Sequence, residues 1–175
     1  MRYRTILLFG APGAGKGTQG KILGKIPGFV HFACGEAFRN LRLDNALGRI
    51  FLDYSSKGLL VPDEPTIEFW KSQVDGMIAT GQFHPETEVL ILDGIPRNPN
   101  QARIMKDLID VHAVFNLFCP VPEKLILRLQ RRALRENRMD DAKIETIRMR
   151  MDTYRRETRA VLDCYPEQKI GRAHV

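Results

Sequence analysis

The run Gly10-Ala-Pro-Gly-Ala-Gly-Lys-Gly-Thr18 limits what this chain can become more than any other stretch. It follows the apolar residues 5–9 and precedes a helix-competent segment over 18–25. Strand, glycine-rich loop and helix form the setting in which backbone N–H groups cradle a phosphate. The glycines let the backbone turn inward and let an anion approach without a Cβ in the way. The following helix adds partial positive charge at its N-terminus, and Lys16 adds a full charge. The general pattern has Ser or Thr directly after the lysine; here Gly17 intervenes and the hydroxyl belongs to Thr18. A plain αβ turn rich in glycine has no use for Lys16, so the loop points to nucleotide phosphates.

The rest of the chain alternates strand and helix patterns. Residues 5–9, 29–33, 89–92 and 113–118 read as short strands, the first and third apolar without alternation, as in a buried parallel sheet. Between them the spacing predicts helices near Arg39, over 45–57 and over 66–79. The second places Leu47, Ile50, Phe51 and Tyr54 on one face and stops at Gly58; the third turns Ile67, Trp70, Val74 and Ile78 toward a core. Further helices are expected over 100–109, over 123–135 and, as one long element capped by Asp140 or Asp141, to about residue 163. This order implies an α/β fold: a parallel sheet of the phosphate-loop nucleoside-triphosphate-hydrolase-like type, with helices on both faces. Ligands on such sheets bind at the C-terminal strand ends, where the loop at Gly10, the turn after Ala33, Asp93 and Pro120 all fall.

Composition narrows the class of partner. With 175 residues, 43% hydrophobic and 27% charged, the chain suits one soluble domain with a single core. No apolar run approaches the roughly 20 residues of a membrane span, and the first strand begins at once, which leaves no room for a leader. Three scattered cysteines, Cys34, Cys119 and Cys164, suit neither a disulfide framework nor zinc, and a reducing cytoplasm is expected. The net charge of +6 is concentrated in Arg128, Arg131, Arg132, Arg135, Arg138, Arg148, Arg150, Arg155, Arg156 and Arg159. Without interleaved aromatic residues, this cluster fits clamps on small phosphates better than a nucleic-acid surface.

Asp93, at the end of an apolar strand, stands where a Mg²⁺-associated aspartate belongs in a phosphate-loop protein. Gly94 follows it, not the glutamate of an ATPase that activates water, and no Asn-Lys-x-Asp element for guanine is present. The acceptor of a phosphoryl group is then something other than water.

Four stretches together carry a family resemblance: Gly-Ala-Pro-Gly-Ala-Gly-Lys-Gly-Thr-Gln, Cys-Gly-Glu-Ala-Phe-Arg, Lys-Gly-Leu-Leu-Val-Pro-Asp-Glu and Leu-Asp-Gly-Ile-Pro-Arg-Asn. From Arg4 to about Tyr165 the chain resembles the adenylate kinases. The resemblance implies transfer from ATP·Mg²⁺ to AMP, giving two ADP. Gly13, Ala14, Gly15, Lys16, Gly17 and Thr18 would hold the ATP phosphates, with Asp93 organising the waters of Mg²⁺ and Thr18 available as a further metal contact. Arg39 and Arg97 would grip the AMP phosphate, and Gln101 would read the adenine edge. Cys34, Gly35, Val61 and Gly94 would line that pocket. A monophosphate-binding insert would span about 34–65 and a short lid without zinc about 132–141, within one kinase domain over 1–175. Arg132 and Arg138 match the lid arginines that close over the transferred group, touching ATP and AMP respectively.

The next helix offers Arg150 or Arg148 as the remaining arginine. Counted at 3.6 residues per turn, Arg150 lies about 60° from Ile147 on the inward side, and Arg148 about 100° away on the other, which favours Arg150. The partners implied are ATP and AMP, with no nucleic acid and no membrane, in a cytoplasmic monomer. A sibling kinase acting on UMP or CMP, and a nucleotide-binding fragment without turnover, are the competing readings; Gln101 is the main residue against the first.

Two departures stand out. Cys34 replaces the Thr or Ser often found before the glycine. At the other end, the family continues with a fifth apolar strand and a closing helix, whereas here Ile-Gly-Arg-Ala-His-Val175 resembles the translation of a sequencing adapter. The expectation is a truncated fragment with a non-native tail over about 170–175, its sheet edge lacking a strand. His31, His84, His112 and His174 are expected to be surface or packing residues.

Overall fold

The computed structural model describes residues 2–42, 44–136, 138, 141 and 143–174, the side chain of His174 excepted. Five parallel strands form one sheet: β1 (Tyr3–Gly10), β2 (Phe29–Ala33), β3 (Val89–Asp93), β4 (Ile109–Phe118) and β5 (Ile170–His174), in the order β2-β3-β1-β4-β5. The chain builds outward from β1 on one side, returns, and crosses to β4 on the other. The crevice therefore opens at the C-terminal ends of these strands. Register brings Ala33 level with Asp93, and Gly10 level with Leu117.

The central strands are apolar on both faces because helices cover both. Leu7, Leu90, Ile91 and Leu92 are fully buried, each such side chain contributing about 1.5–3 kcal/mol of transfer free energy. The main core adds Phe69, Trp70 and Val74 from α4 (Asp63–Ala79) and Met105 from α5 (Pro99–Met105). Trp70 is fully buried, a packing residue as its helical spacing indicates.

α1 (Lys16–Leu23) lies against β2 in an unusual way. His31 occupies the space where side chains of the helix would stand. A Cβ on Gly20 would fall 2.2 Å from its Nε2, and one on Gly24 would fall 2.8 Å from its Cβ. Burial lowers the imidazole's pKa, and Nε2 has no hydrogen-bond partner among the described residues. The expected packing role of His31 has this specific form. His84 and His112 are exposed beside Glu88 and Asp110.

α2 (Cys34–Arg39) and α3 (Ala46–Ser56) rise from the sheet edge before α4 returns to it. Asn45 caps α3 by accepting from the Leu47 N–H at 2.8 Å. Phe38 stacks on Phe51 at 5.1 Å between ring centroids. Ile50, expected on the same face, is turned outward instead. α3 ends at Ser56, and the turn after it holds Gly58, whose φ is +72° and whose missing Cβ would stand 3.0 Å from the Thr146 carbonyl oxygen. That close approach seats the turn on α7 (Ile144–Thr153), which donates hydroxyls from Thr146 to the Ser56 carbonyl and from Thr153 to the Gly58 carbonyl, each at 3.1 Å.

Several boundaries correct the sequence reading. α4 begins at Asp63, three residues early, because Pro65 in the first turn needs no N–H partner there. α5 stops at Met105, and Ile109 opens β4, whose first residues pair with 3–5 of β1. α6 spans Pro122–Glu136. The long final helix is three pieces: α7, a π-turn over Tyr154–Thr158 and a 3₁₀ segment over Arg159–Cys164. Asp141 does not cap α7; Lys143 holds that position, and Asp140 and Asn137 lie outside the described residues.

The sheet edge expected to be bare carries a strand. Ile170–His174 pairs with 114–118 of β4, led in by a 3₁₀ turn over Glu167–Lys169 and by Lys169, which donates to the Val111 carbonyl at 2.6 Å. The backbone hydrogen-bonding groups on the open side of β4 take this partner although the hexapeptide has little strand propensity. Phe115 and Phe118 of β4 remain partly exposed beside it, at 39% and 49%.

Candidate active site

The loop after β1 is held from below. Ala14 packs with Leu117, Leu125 and Met151 in a second small core. Gly13 (φ +82°) leaves no space for a Cβ, which would lie 2.8 Å from the Leu125 carbonyl oxygen. The loop is thus clamped between β4 and α6, its φ > 0 positions filled by residues that tolerate them. From it Lys16 folds back, donating from Nζ to the carbonyls of Gly10 at 2.8 Å and Ala11 at 3.2 Å. Burial pulls its ammonium down to about 8; Asp93 opposes this, and the charges of Arg97, Arg150 and Arg132 add to it. Four charged groups, on β3, the turn after it, α6 and α7, therefore act on Lys16 across the strand ends.

A cleft with about 1040 Å³ of empty space, open to solvent, lies at this edge. Lys16 lines it together with Cys34, Gly35, Arg39, Val61, Gly94, Arg97, Gln101 and Arg150. One wall is α2. A Cβ on Gly35 would stand 3.4 Å from Nη2 of Arg39 and 3.8 Å from Nη2 of Arg97, so the two guanidinium groups converge over that backbone. Arg97 is aimed by its Nε, which donates to the Gly94 carbonyl at 2.9 Å after the cis Ile95–Pro96 bond. Gln101, 1% exposed, accepts from the Arg97 N–H at 2.8 Å. Cys34 sits beneath as a neutral thiol, its pKa pushed up to about 12 by burial.

On the side of α7, behind the lining residue Arg150, Asp141 is fully buried and accepts from both Arg132 and Arg150. Arg132 reaches it through Nε at 2.8 Å. Arg138 pairs with Glu136 at 2.6 Å. Of the ten clustered arginines, these three are drawn in from solvent, while Arg128, Arg131, Arg135, Arg148, Arg155, Arg156 and Arg159 are exposed. Arg150 faces the cleft and Arg148 faces water, so the helical count picked the inward residue.

The structure does not bring every expected residue to the cleft wall. Gly13, Ala14, Gly15, Gly17, Thr18, Asp93, Arg132 and Arg138 stand outside its lining. Thr18 is exposed on the first turn of α1, while the Asp93 carboxylate lies against that turn, 3.5 Å from where a Cβ of Gly17 would be. Sequence reasoning missed Thr66, Tyr154 and Thr158 in the wall, and Asp141 as the anchor of two arginines. Only the Asp140-Asp141 doublet beside the arginine cluster signalled the last. Among the described residues no group of three His, Cys, Asp or Glu is placed to hold a metal, and no helix is long and apolar enough to cross a membrane.

A glycine-rich loop and lysine at the end of β1, sharing a cleft with converging arginines at the C-terminal edge of a parallel sheet, define a fold of the phosphate-loop nucleoside-triphosphate-hydrolase-like class. Sequence comparison refines this. Residues 8–170 match the adenylate kinase family pattern. An adenylate kinase of Porphyromonas gingivalis is 36% identical over 171 residues, covering 94% of this chain and 84% of the relative. One of Parabacteroides distasonis is 35% identical, covering 91% and 83%. One of Streptomyces coelicolor is 31% identical over an alignment of 197 positions, covering 94% and 88%. The chain belongs to the adenylate kinase family.

Proposed function

We infer that this protein is an ATP:AMP phosphotransferase, converting ATP and AMP reversibly into two ADP. The family match and the named relatives support it and do not favour the UMP/CMP kinase or the inactive-fragment alternatives. The observation that carries it in the structure is the pair Arg39 and Arg97 over Gly35, in the same cleft as Lys16. An enzyme that passes phosphate to water needs no second anion site opposite the loop.

In this reading the loop from Gly13 to Thr18 holds the ATP phosphates through backbone N–H groups, and Lys16 exchanges its carbonyl partners for phosphate oxygens. Arg39 and Arg97 hold the AMP phosphate in a fixed fork, with Gln101 on the base and Cys34, Gly35, Val61 and Gly94 as the wall. Arg132, Arg138 and Arg150 neutralise charge on the transferred group, an effect worth roughly 10³–10⁵ in rate in related reactions. No strong base is needed because the acceptor is already an anion. Catalysis is positioning, charge neutralisation and exclusion of water.

Mg²⁺ fits the donors at hand. Asp93 is a hard oxygen ligand beside the first turn of α1, suited to a cation that keeps most of its waters, and Thr18 is the nearest hydroxyl in sequence. When bound with ATP, the ion supplies charge neutralisation of the phosphates. Zinc has no place in this reading. Residues of about 34–65 form the monophosphate-binding insert and about 132–141 a short lid, within one kinase domain. The same reading makes the protein a cytoplasmic monomer whose partners are ATP and AMP, without nucleic acid or membrane. Three cysteines without a disulfide accord with that compartment.

The test is ADP formation from ATP and Mg²⁺ with AMP, CMP or UMP offered separately. Turnover with AMP is expected, reduced about 10²–10³-fold or more by Lys16→Met. Turnover with CMP or UMP and none with AMP would overturn the reading.

A further inference from the structure

Asp63, the first residue of α4, has no part in the site as described so far. Its carboxylate gathers three side-chain amides: Oδ1 accepts from Asn98 Nδ2 at 2.7 Å and from Gln101 Nε2 at 2.9 Å, and Oδ2 accepts from Asn100 Nδ2 at 2.7 Å. Burial works against the charge, but the three hydrogen bonds outweigh it and hold the carboxyl below its ordinary range. A helix that carries the insert back to the sheet is thereby tied to the start of α5.

The consequence falls on Gln101. An amide has two faces of opposite sense, and a free glutamine can turn end over end to suit either kind of partner. Here the Arg97 N–H, which can only donate, meets Oε1, and the Asp63 carboxylate, which can only accept, meets Nε2. Asn98 is fixed in the same way, accepting from the Gln101 N–H at 2.8 Å and donating to Asp63. Turning the Gln101 amide would set N–H against N–H at one end and oxygen against carboxylate at the other. One N–H and one lone pair remain for the cleft, in a fixed order.

That order matters for purines. The 6-aminopurine edge offers an acceptor at N1 and a donor at N6. A 6-oxopurine reverses both, with a proton on N1 and an acceptor at O6. With the phosphate end of the nucleotide already held, the base cannot shift to compensate. We propose that Asp63 is a positioning residue for substrate choice: by fixing the sense of the Gln101 amide against the Arg97 N–H, it makes the monophosphate side select 6-aminopurine over 6-oxopurine nucleotides. The proposal rests on the reading of Gln101 as the residue that meets the base.

The experiment compares kcat and KM for AMP and for IMP, with KM for ATP and thermal melting measured alongside, in the full chain. The variants are Asp63→Leu, Asp63→Asn and Gln101→Ala. Asp63→Leu removes the acceptor at similar size, and the ratio of kcat/KM for AMP over IMP is expected to fall roughly tenfold or more. KM for AMP should rise while KM for ATP stays within about twofold. Asp63→Asn can keep an oxygen at the Oδ1 position while exposed Asn100 turns its own amide and gives up its bond from exposed Arg103, so it should hold the ratio within about threefold of the parent. Should Asp63→Leu melt below the assay temperature, Asp63→Ala, a strong helix former with no acceptor, carries the same test. If Asp63→Leu, or the variant standing in for it, lowers the melting temperature but keeps the AMP:IMP ratio, the proposal is overturned, since Asp63 would then serve stability alone. If Gln101→Ala relaxes the ratio and Asp63→Leu does not, the base reader stands and its orientation by Asp63 is refuted. If Gln101→Ala itself leaves the ratio unchanged, the reading of Gln101 fails and the proposal falls with it.

Discussion

The two walls of the cleft are finished to different degrees. On the wall made by α2 and the turn after β3, Arg97 is aimed by a backbone carbonyl, Gln101 is locked at both ends, and Arg39 already converges with Arg97. On the side of α7, Arg150 in the lining and Arg132 of α6 behind it share the buried Asp141, Arg138 is paired with Glu136, and Lys16 of α1 rests on the carbonyls of its own loop. In the proposed function the first side meets the monophosphate, with Arg97 already set by the Gly94 carbonyl. The second holds Arg132, Arg150 and Arg138 on carboxylates and Lys16 on carbonyls, oxygens that phosphate oxygens would replace in that function. In the proposed function such charge-assisted pairs are traded, not created, when an anion enters, so the second side is the one expected to change geometry with ligand.

The sharpest break in that comparison should come from Arg150. Arg150→Ala is expected to lower kcat about 10³-fold or more, whereas Arg148→Ala, on the same helix but facing water, should stay within about twofold. Steady-state rates with AMP and ATP decide it; equal losses would mean that facing the cleft is not what matters.

A middle-sized effect is expected where the walls touch. Gly58→Ala must place a Cβ against the Thr146 carbonyl at φ +72°, which should destabilise the fold by about 1–3 kcal/mol and lower Tm by several degrees. Melting curves measure it, and an unchanged Tm would show that the turn and α7 can separate freely.

The smallest effect is a proton. Lys16 has a folded-state value of about 8, below the ordinary 10.5, because of burial. Between those values the empty folded protein binds fewer protons here than the unfolded chain, so this group's contribution to stability rises with pH across that window. ATP phosphates favour the ammonium, so binding should take up close to one proton near pH 9 and almost none near pH 7, and affinity should fall above about pH 8. Calorimetry in buffers of different ionisation heat reads the proton count directly. Equal uptake at both values would place the titrating group elsewhere.

The first wall was also the more legible in sequence. Its residues follow one another closely, as in Asp93-Gly94-Ile95-Pro96-Arg97 and on to Gln101, so a short motif specifies the geometry. Arg150 was reachable through helical periodicity. Asp141 was not, because a carboxylate next to a helix start looks like a cap, and only packing reveals that two arginines enclose it. The break of the last helix at Tyr154 was hidden for a related reason: π and 3₁₀ turns keep right-handed dihedrals, and apolar spacing does not report the change of hydrogen bonding. β5 escaped because Ile-Gly-Arg-Ala-His carries no strand signature of its own. It is recruited by the open side of β4.

The contact between α1 and His31 sets the aim of the phosphate loop. Where most helices stand off a sheet by the depth of their side chains, α1 lies with Gly20 over the His31 imidazole and with Gly24, just past its end, against the Cβ and backbone N of the same residue. Gly20 lies about 6 Å along the axis from Lys16 at 1.5 Å per residue. The helix therefore behaves as a short barrel seated closely near its middle, and its muzzle is the N-terminus that continues from the glycine-rich loop. A change of tilt at Gly20 would be felt at the loop as an error of aim, although Gly20 touches no part of the cleft.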